Sequence, residues 1–305
     1  GAITAPTDAA LGQAVISNPR VPERIRQALD IEAGLNDGIS FPFVLIFIGL
    51  AGPDQGPGVV ETFAVAIGVA VLVGAAVGFI GGRLMVKAND AGTMGFAWSG
   101  IAVIALAATA FVLSDAGGGS GFIAAFVGGL TYGEATRGKI KANEVLAANL
   151  GAGLVQVSFL LFGALVLEPA LGNVTWQVVV MAILSLTVAR MIPVAISMIG
   201  MKLDRVTIFY MGWFGPRGLA TIVFAALVVT DADLPGTQTI NVVAACIVGL
   251  SVLLHGLTSY PGSQAYADWY ESHDDPTGLP EGKTLNHHTL STRARHAINQ
   301  TMEKT

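Results

Sequence analysis

The sequence predicts an all-α polytopic membrane protein, and three observations carry that prediction. Hydrophobic residues make up 53% of the 305 residues and charged residues only 12%, against roughly 25% charged in an ordinary soluble domain. The charges collect in short punctuating stretches and toward the C-terminus, and the apolar blocks between them are about as long as a bilayer is thick. Within those blocks successive residues stay apolar without two-residue alternation, which selects helices over the strands of a barrel. This balance excludes an ordinary water-soluble enzyme; the modest net charge of -5 by itself says nothing about nucleic acid, and no nucleic-acid partner is expected. Cys246, the single cysteine, excludes an intrachain disulfide or a cysteine metal site.

In chain order, a partial segment at about 1–16 is followed by spans near 28–51, 59–82, 93–113 and 118–133. Spans near 144–167, 174–200, 206–230 and 237–260 come next. That gives about nine membrane segments, a transmembrane domain at 1–260 and a polar tail at 261–305. Loop charge tests this segmentation. Arg20, Arg24 and Arg26 follow the first segment; Arg83 and Lys87, then Arg137, Lys139 and Lys141, then Lys202 and Arg205 occupy alternate loops. Lys283, Arg293, Arg295 and Lys304 lie in the tail, whereas the intervening loops AGPDQGPG, SDAGGGS, LEPALGN and TDADLPG hold no Lys or Arg. Because cytoplasmic loops collect Lys and Arg, the alternation predicts a cytoplasmic C-terminus. The tail has a weak helical pattern near 289–303. Its His273, His287 and His288 lack the carboxylate or Cys spacing of a metal site and read as solvated. The opening GAITAPTDAALG has no methionine, basic n-region or signal-cleavage pattern, so an N-terminal part is expected to precede it.

Five ionisable residues fall well inside apolar segments: Asp8, Glu32, Asp37, Arg190 and Arg217. Each costs about 2.5–3.5 kcal/mol at a helix centre unless it is paired or faces water. Acids and arginines in the same membrane point to internal pairing around a polar cavity. At about 100° per residue, Glu32 and Asn36 stack at i and i+4, and Ala33 and Asp37 do the same one step round, making a polar stripe. For Glu32 and Asp37 the alternative is a helix entry near the interface.

Asp8 sits in APTDAALG, where Pro6 removes a backbone donor and Thr7 and Asp8 offer oxygens beside the freed carbonyls. A second interruption is MGWFGPRGLATIVF, with Arg217 among Gly212, Gly215, Pro216 and Gly218. Two Gly/Pro-interrupted segments, one early and one late, point to a transporter site on broken helices; the rival is a pair of proline kinks without function. Arg217 against one break and Asp8 against the other suits the opposite partial charges of half-helix ends. Arg190 has no acid within its own helical turn. Its partner must come from another helix, with Glu32 preferred, or it snorkels to the membrane edge.

APTDAALG, EAGLNDGIS, VARMIPV and GWFGPRGLA, in that order over about 1–260, resemble the monovalent cation/proton antiporter family, specifically its sodium/proton exchanger (NhaP-like) branch. The resemblance implies thirteen helices in two inverted repeats, a core domain with two crossed discontinuous helices, and a dimerisation domain that makes a homodimer. This chain would begin at about the fifth helix. By motif position, Thr7 and Asp8 match cation ligands of the unwound helix, and Asn36 and Asp37 the Asn-Asp pair, with Asp37 the essential carboxylate. Sodium is placed at Asp8 and Asp37. Glu32 and Arg190 match a bracing ion pair, and Arg217 the arginine of the second crossed helix. Ala33 departs from the serine many relatives carry, which removes a ligand hydroxyl and puts ion preference in doubt. Asn36, where electrogenic relatives carry a second acid, implies one proton per cation.

Carboxylate, hydroxyl and carbonyl oxygens suit a hard cation. A carboxylate buried from water also holds a proton to higher pH than a free one. Competition of cation and proton for one site then gives exchange by alternating access, with no cofactor beyond the transported Na⁺ and H⁺. The expected setting is a bacterial or archaeal plasma membrane, with lipid as the surrounding partner and no enzymatic activity. Two rivals are an inactive or partial fragment that needs further helices, and an intramembrane aspartyl protease with Asp8 and Asp37 as its dyad. The second lacks a GxGD-type environment and gives the intramembrane arginines nothing to do.

Overall fold

The computed structural model describes residues 1–8, 10–51, 59–137, 142–231, 234, 236–273 and 275–282. Lys139, Lys141, the loop at 52–58 and the tail from 283, with His287, His288 and the 289–303 pattern, lie outside the described residues.

A 3-10 turn at Ala2–Thr4 and a short helix α1 (Gln13–Ile16) flank an irregular stretch around Asp8. Then follow α2 (Glu23–Ala51), α3 (Val59–Asp90), α4 (Phe96–Ala116), α5 (Gly121–Thr136) and α6 (Ala142–Phe162), the last continuing through a π turn at Gly163–Leu167 into α7 (Glu168–Leu171). The remaining helices are α8 (Trp176–Leu186), α9 (Val188–Ser197), α10 (Arg205–Trp213), α11 (Leu219–Asp231) and α12 (Thr237–Glu271). No strand occurs among the described residues.

Local chemistry sets several boundaries. Pro22 precedes α2 and Glu23 puts an acid in its first turn. Ser120 caps α5 by accepting from the Ile123 N–H at 3.3 Å, and Arg137 in the left-handed region ends it. Asp204 caps α10, accepting from the Val206 N–H at 2.8 Å. Between α8 and α9 the helix bends at Thr187, whose hydroxyl donates to the Ile183 carbonyl at 2.6 Å.

Six helical stretches among the described residues are long and apolar enough to cross a membrane: Glu23–Ala51, Ala64–Asp90, Trp98–Ala116, Asn149–Leu171, Trp176–Ser197 and Thr237–Glu271. The spans expected at 118–133 and 206–230 differ for physical reasons. The 16-residue α5 rises only about 24 Å, and the second is split into α10 and α11. Large apolar side chains stand outward, Leu72, Leu160 and Leu165 being 72%, 73% and 69% exposed. With no water to favour burying them, helices associate instead through close contact of small residues. α3 and α5 do so: a Cβ on Gly74 would strike the Ala124 backbone, and one on Gly78 the Gly128 carbonyl. Residue numbers rise together along this contact, so the two helices run parallel and Arg83 and Lys87 share an end with Arg137.

A second basic end is visible directly. Arg20 reaches Gln264, Asp268 and Glu271 near the close of α12, and the Arg24 guanidinium donates to the Pro280 carbonyl at 2.6 Å. The pull of Glu271 and Asp268 raises the Arg20 pKa above its ordinary value. α12 thus continues past the expected boundary at 260, and the chain after it folds back. Glu281, 1% exposed, accepts from the Asp204 N–H at 2.7 Å and the Thr207 hydroxyl at 3.0 Å, at the start of α10.

Around the centre, Val15, Ile25, Leu29, Met211, Phe214 and Tyr266 form one apolar cluster that packs α1, α2, α10 and α12 together. A second cluster, built on Phe41, Val44, Ala124, Phe224 and Val228, ties α2 and α11 to the α3–α5 bundle. The interrupted segments lie between these clusters.

Candidate ion-binding site at two crossed breaks

Breaking a helix inside a bilayer frees backbone donors and acceptors that water cannot satisfy. Here each break supplies what the other lacks. Pro6 and Thr7 are buried and belong to no helix, and the Asp8 N–H donates across to the Pro216 carbonyl at 2.8 Å. The Asp8 carboxylate returns along the same line: its Oδ2 accepts from the Leu219 N–H at 2.9 Å, the first residue of α11. Its Oδ1 accepts from the Ala10 and Leu11 N–H groups at 2.8 and 3.3 Å. A negative group thus sits on the positive end of a half-helix. In the opposite sense, Arg217 in the second break donates to the Ala5 and Pro6 carbonyls at 2.6 and 3.0 Å.

The glycines of GWFGPRGLA allow this approach. A Cβ on Gly218 would collide with the Asp8 carboxylate, and one on Gly215 with the Arg190 guanidinium.

α2 presents the polar stripe to the first break. The Asn36 amide takes both ends of Thr7, its oxygen accepting from the Thr7 N–H at 3.0 Å and its nitrogen donating to the Thr7 hydroxyl at 2.6 Å. The same nitrogen donates to Glu32 at 3.0 Å. Glu32 in turn receives both Arg190 terminal nitrogens, at 2.5 and 2.7 Å. Such a two-pronged contact is the strongest arginine–carboxylate geometry. Arg190 is 8% exposed, so it is buried in α9 and does not snorkel.

Thr7, Asp8, Glu32, Asn36, Arg190 and Arg217 therefore form one connected polar centre. Asp37 stands apart within it. Its side chain is exposed and accepts no hydrogen bond among the described residues. A cavity of about 10 Å³ touches Thr7, Asp8, Glu32 and Ala33, room for about one water-sized particle; Ala33 lines it with a methyl group. A larger cavity of about 630 Å³ between α2 and the α9–α10 region opens on Glu32 and Asn36. No cluster of three or more His, Cys, Asp or Glu of the kind that holds a resident metal occurs among the described residues.

Sequence reading passes over two residues that touch this centre. Ser251 and His255, in the middle of α12, are fully buried beside the second break. His255 escapes a count of Asp, Glu, Lys and Arg, yet a histidine in an apolar span is itself a signal.

An apolar helical bundle in which two interrupted segments exchange hydrogen bonds beside a linked set of acids and arginines suits an ion-coupled secondary transporter. The chain belongs to the sodium/hydrogen exchanger family, whose transmembrane domain matches residues 1–261, and is an integral membrane protein. Its relatives include the K(+)/H(+) antiporter NhaP of Alkalimonas amylolytica, 26% identical over 86% of this chain and 45% of the relative. The Na(+)/H(+) antiporter NhaG of Bacillus atrophaeus is 25% identical over 95% of this chain and 59% of the relative. The chain thus spans about half the length of these curated relatives. The structure of the sodium proton antiporter MjNhaP1 from Methanocaldococcus jannaschii, at pH 8, has the same fold, with a TM-score of 0.70 at 22% identity over 87% of this chain and 69% of that one.

Proposed function

We propose that the protein exchanges a monovalent cation, sodium foremost, for protons across the plasma membrane, with its C-terminus in the cytoplasm and two copies forming a homodimer. The observation that carries this reading is the Asp37 carboxylate. It has no hydrogen-bond partner among the described residues, and α2 sets it one residue past Asn36, whose amide grips Thr7 next to a second carboxylate, Asp8. Two acids so placed bind one positive charge at a time, a cation or a proton, better than none.

Asp37 carries the exchanged charge in this scheme. Asp8 and Thr7 contribute cation ligands through oxygen lone pairs that their backbone contacts leave free, and Asn36 orients Thr7. Glu32 and Arg190 brace the stripe without touching the ion, and Arg217 fixes the first break. Release of a proton whenever a cation enters makes the exchange electroneutral. The membership of the family supports the cation/proton pair of substrates, and relatives named for both Na(+) and K(+) make the choice of ion a direct experiment.

That experiment is a pH-dye measurement in everted membrane vesicles. Addition of sodium is expected to dissipate an imposed proton gradient, with potassium less effective. Equal failure of sodium, lithium and potassium would overturn the reading.

A further inference from the structure

The contacts of α12 with the second break identify a device that neither the ion-binding stripe nor the crossed charges explain. Ser251 and His255 lie one helical turn apart and are 0% and 1% exposed. The Ser251 hydroxyl accepts the Arg217 N–H at 2.7 Å, the first donor after Pro216. His255 Nε2 lies 2.9 Å from the carbonyl of Trp213, the last residue of α10. A carbonyl can only accept, so Nε2 is the donor. With the neutral ring protonated on Nε2, Nδ1 can only accept, and the Ser251 hydroxyl at 3.2 Å is the donor that ties the ring to α12. The Trp213 ring packs against the imidazole at a centroid distance of 5.3 Å, and its own N–H donates to Thr258 at 3.0 Å on the next turn of α12.

One continuous helix therefore holds the chain on both sides of the gap: the last carbonyl of α10 through His255, and the Arg217 backbone through Ser251. We infer that His255 and Ser251 are positioning residues that splint the second break, setting the Arg217 backbone so that its guanidinium reaches the Ala5 and Pro6 carbonyls of the first. Neither touches the proposed ion ligands. They act through Arg217, and their effect on transport rests on the exchange reading above.

The test separates the splint from that reading by using a measurement that needs no transport. Amide deuterium uptake is followed in the whole transporter in detergent, for His255→Ala, Ser251→Ala and His255→Gln. Loss of one buried hydrogen bond is expected to speed uptake about tenfold in peptides covering 213–219. Peptides covering 5–12 should follow, because Arg217 loses its set position, while α3 and α5 stay unchanged. Glutamine offers a donor and an acceptor at similar reach, so His255→Gln is expected to stay within about twofold of the unaltered protein. In vesicles the maximal cation-driven proton flux of His255→Ala should fall about tenfold and recover in His255→Gln. Unchanged uptake at the break in His255→Ala would overturn the splint. Uptake rising equally in α3 and α5 would also overturn it, as a merely structural loss, and so would a folded His255→Gln protein behaving like the alanine variant. If the unaltered protein moves no protons, the exchange reading fails, and deuterium uptake alone still decides the splint.

Discussion

The two interruptions are chemically alike and mechanically different. Both place a proline and small residues where a helix should continue, and both put a charge in the gap. The first carries an acid that seats on the start of α11, and it is held from α2 by Asn36. The second carries a cation that seats on the carbonyls of the first, and it is held from α12 by Ser251 and His255. The difference lies in what else each support does. α2 also bears Asp37, so the first break is tied to the helix with the carboxylate proposed to carry the exchanged charge. α12 bears no Asp or Glu near the gap and serves as a fixed strut. Under the proposed exchange, the first break is placed to respond to ion and proton, and the second to stay put.

The largest effect is expected from the ion pair that joins α2 to α9. Alanine at Glu32 leaves the buried Arg190 guanidinium alone, which costs about 3–5 kcal/mol, and alanine at Arg190 takes both donors from the partly exposed Glu32, a smaller loss through the same contact. Folded protein recovered from the membrane, followed by size-exclusion chromatography, should fall for both variants, more sharply for Glu32→Ala. The exchanged pair Glu32→Arg with Arg190→Glu should recover more than either single change, and no recovery would count against a brace.

Removal of the crossing charges tests the reciprocity itself. Asp8→Ala strands the N–H groups of Leu219 and Ala10, and Arg217→Ala strands the Ala5 and Pro6 carbonyls, each a loss of about 1–3 kcal/mol. Because both act at one crossing, a double-mutant cycle on thermal melting should show coupling of about 0.5–3 kcal/mol. Strict additivity would mean that the breaks are independent. Asp8→Asn, which keeps an acceptor oxygen, should melt closer to the unaltered protein.

The start of α10, at its end away from the second break, gives the smallest change. Glu281→Ala removes the acceptor of the Asp204 N–H and the Thr207 hydroxyl, a loss of about 1–2 kcal/mol at one end of α10. Melting temperature should drop slightly while Asp8→Asn and Glu281→Ala add independently.

Much of the fold is legible in the sequence because a bilayer punishes charge so heavily that loops declare themselves. Boundaries are less legible: α2 begins at Glu23, within a charged stretch, and α12 runs on to Glu271 through Pro261. Hydropathy reads the lipid-facing length of a helix, whereas hydrogen bonds and Arg20 extend it into water. At the centre, Glu32 and Arg190 could be matched because an arginine with no acid in its own turn needs one elsewhere. Asp8 is different. Its charge and Pro6 mark a break, but nothing local says that its carboxylate seats on Leu219, a partner 211 residues away. Ser251 and His255 were hidden for the opposite reason: a serine and a histidine in an apolar run carry no formal charge. Glu281 looks like any tail acid until the chain folds back on α10.

The central claim is that cation and proton compete for the Asp37 carboxylate, with the crossed breaks as its frame. Asp37→Asn preserves shape and removes the titrating group. In everted vesicles containing equal amounts of folded protein, sodium pulses should dissipate the proton gradient in the unaltered transporter and leave it intact in Asp37→Asn. Sodium-driven proton movement at the unaltered rate in Asp37→Asn would contradict the account.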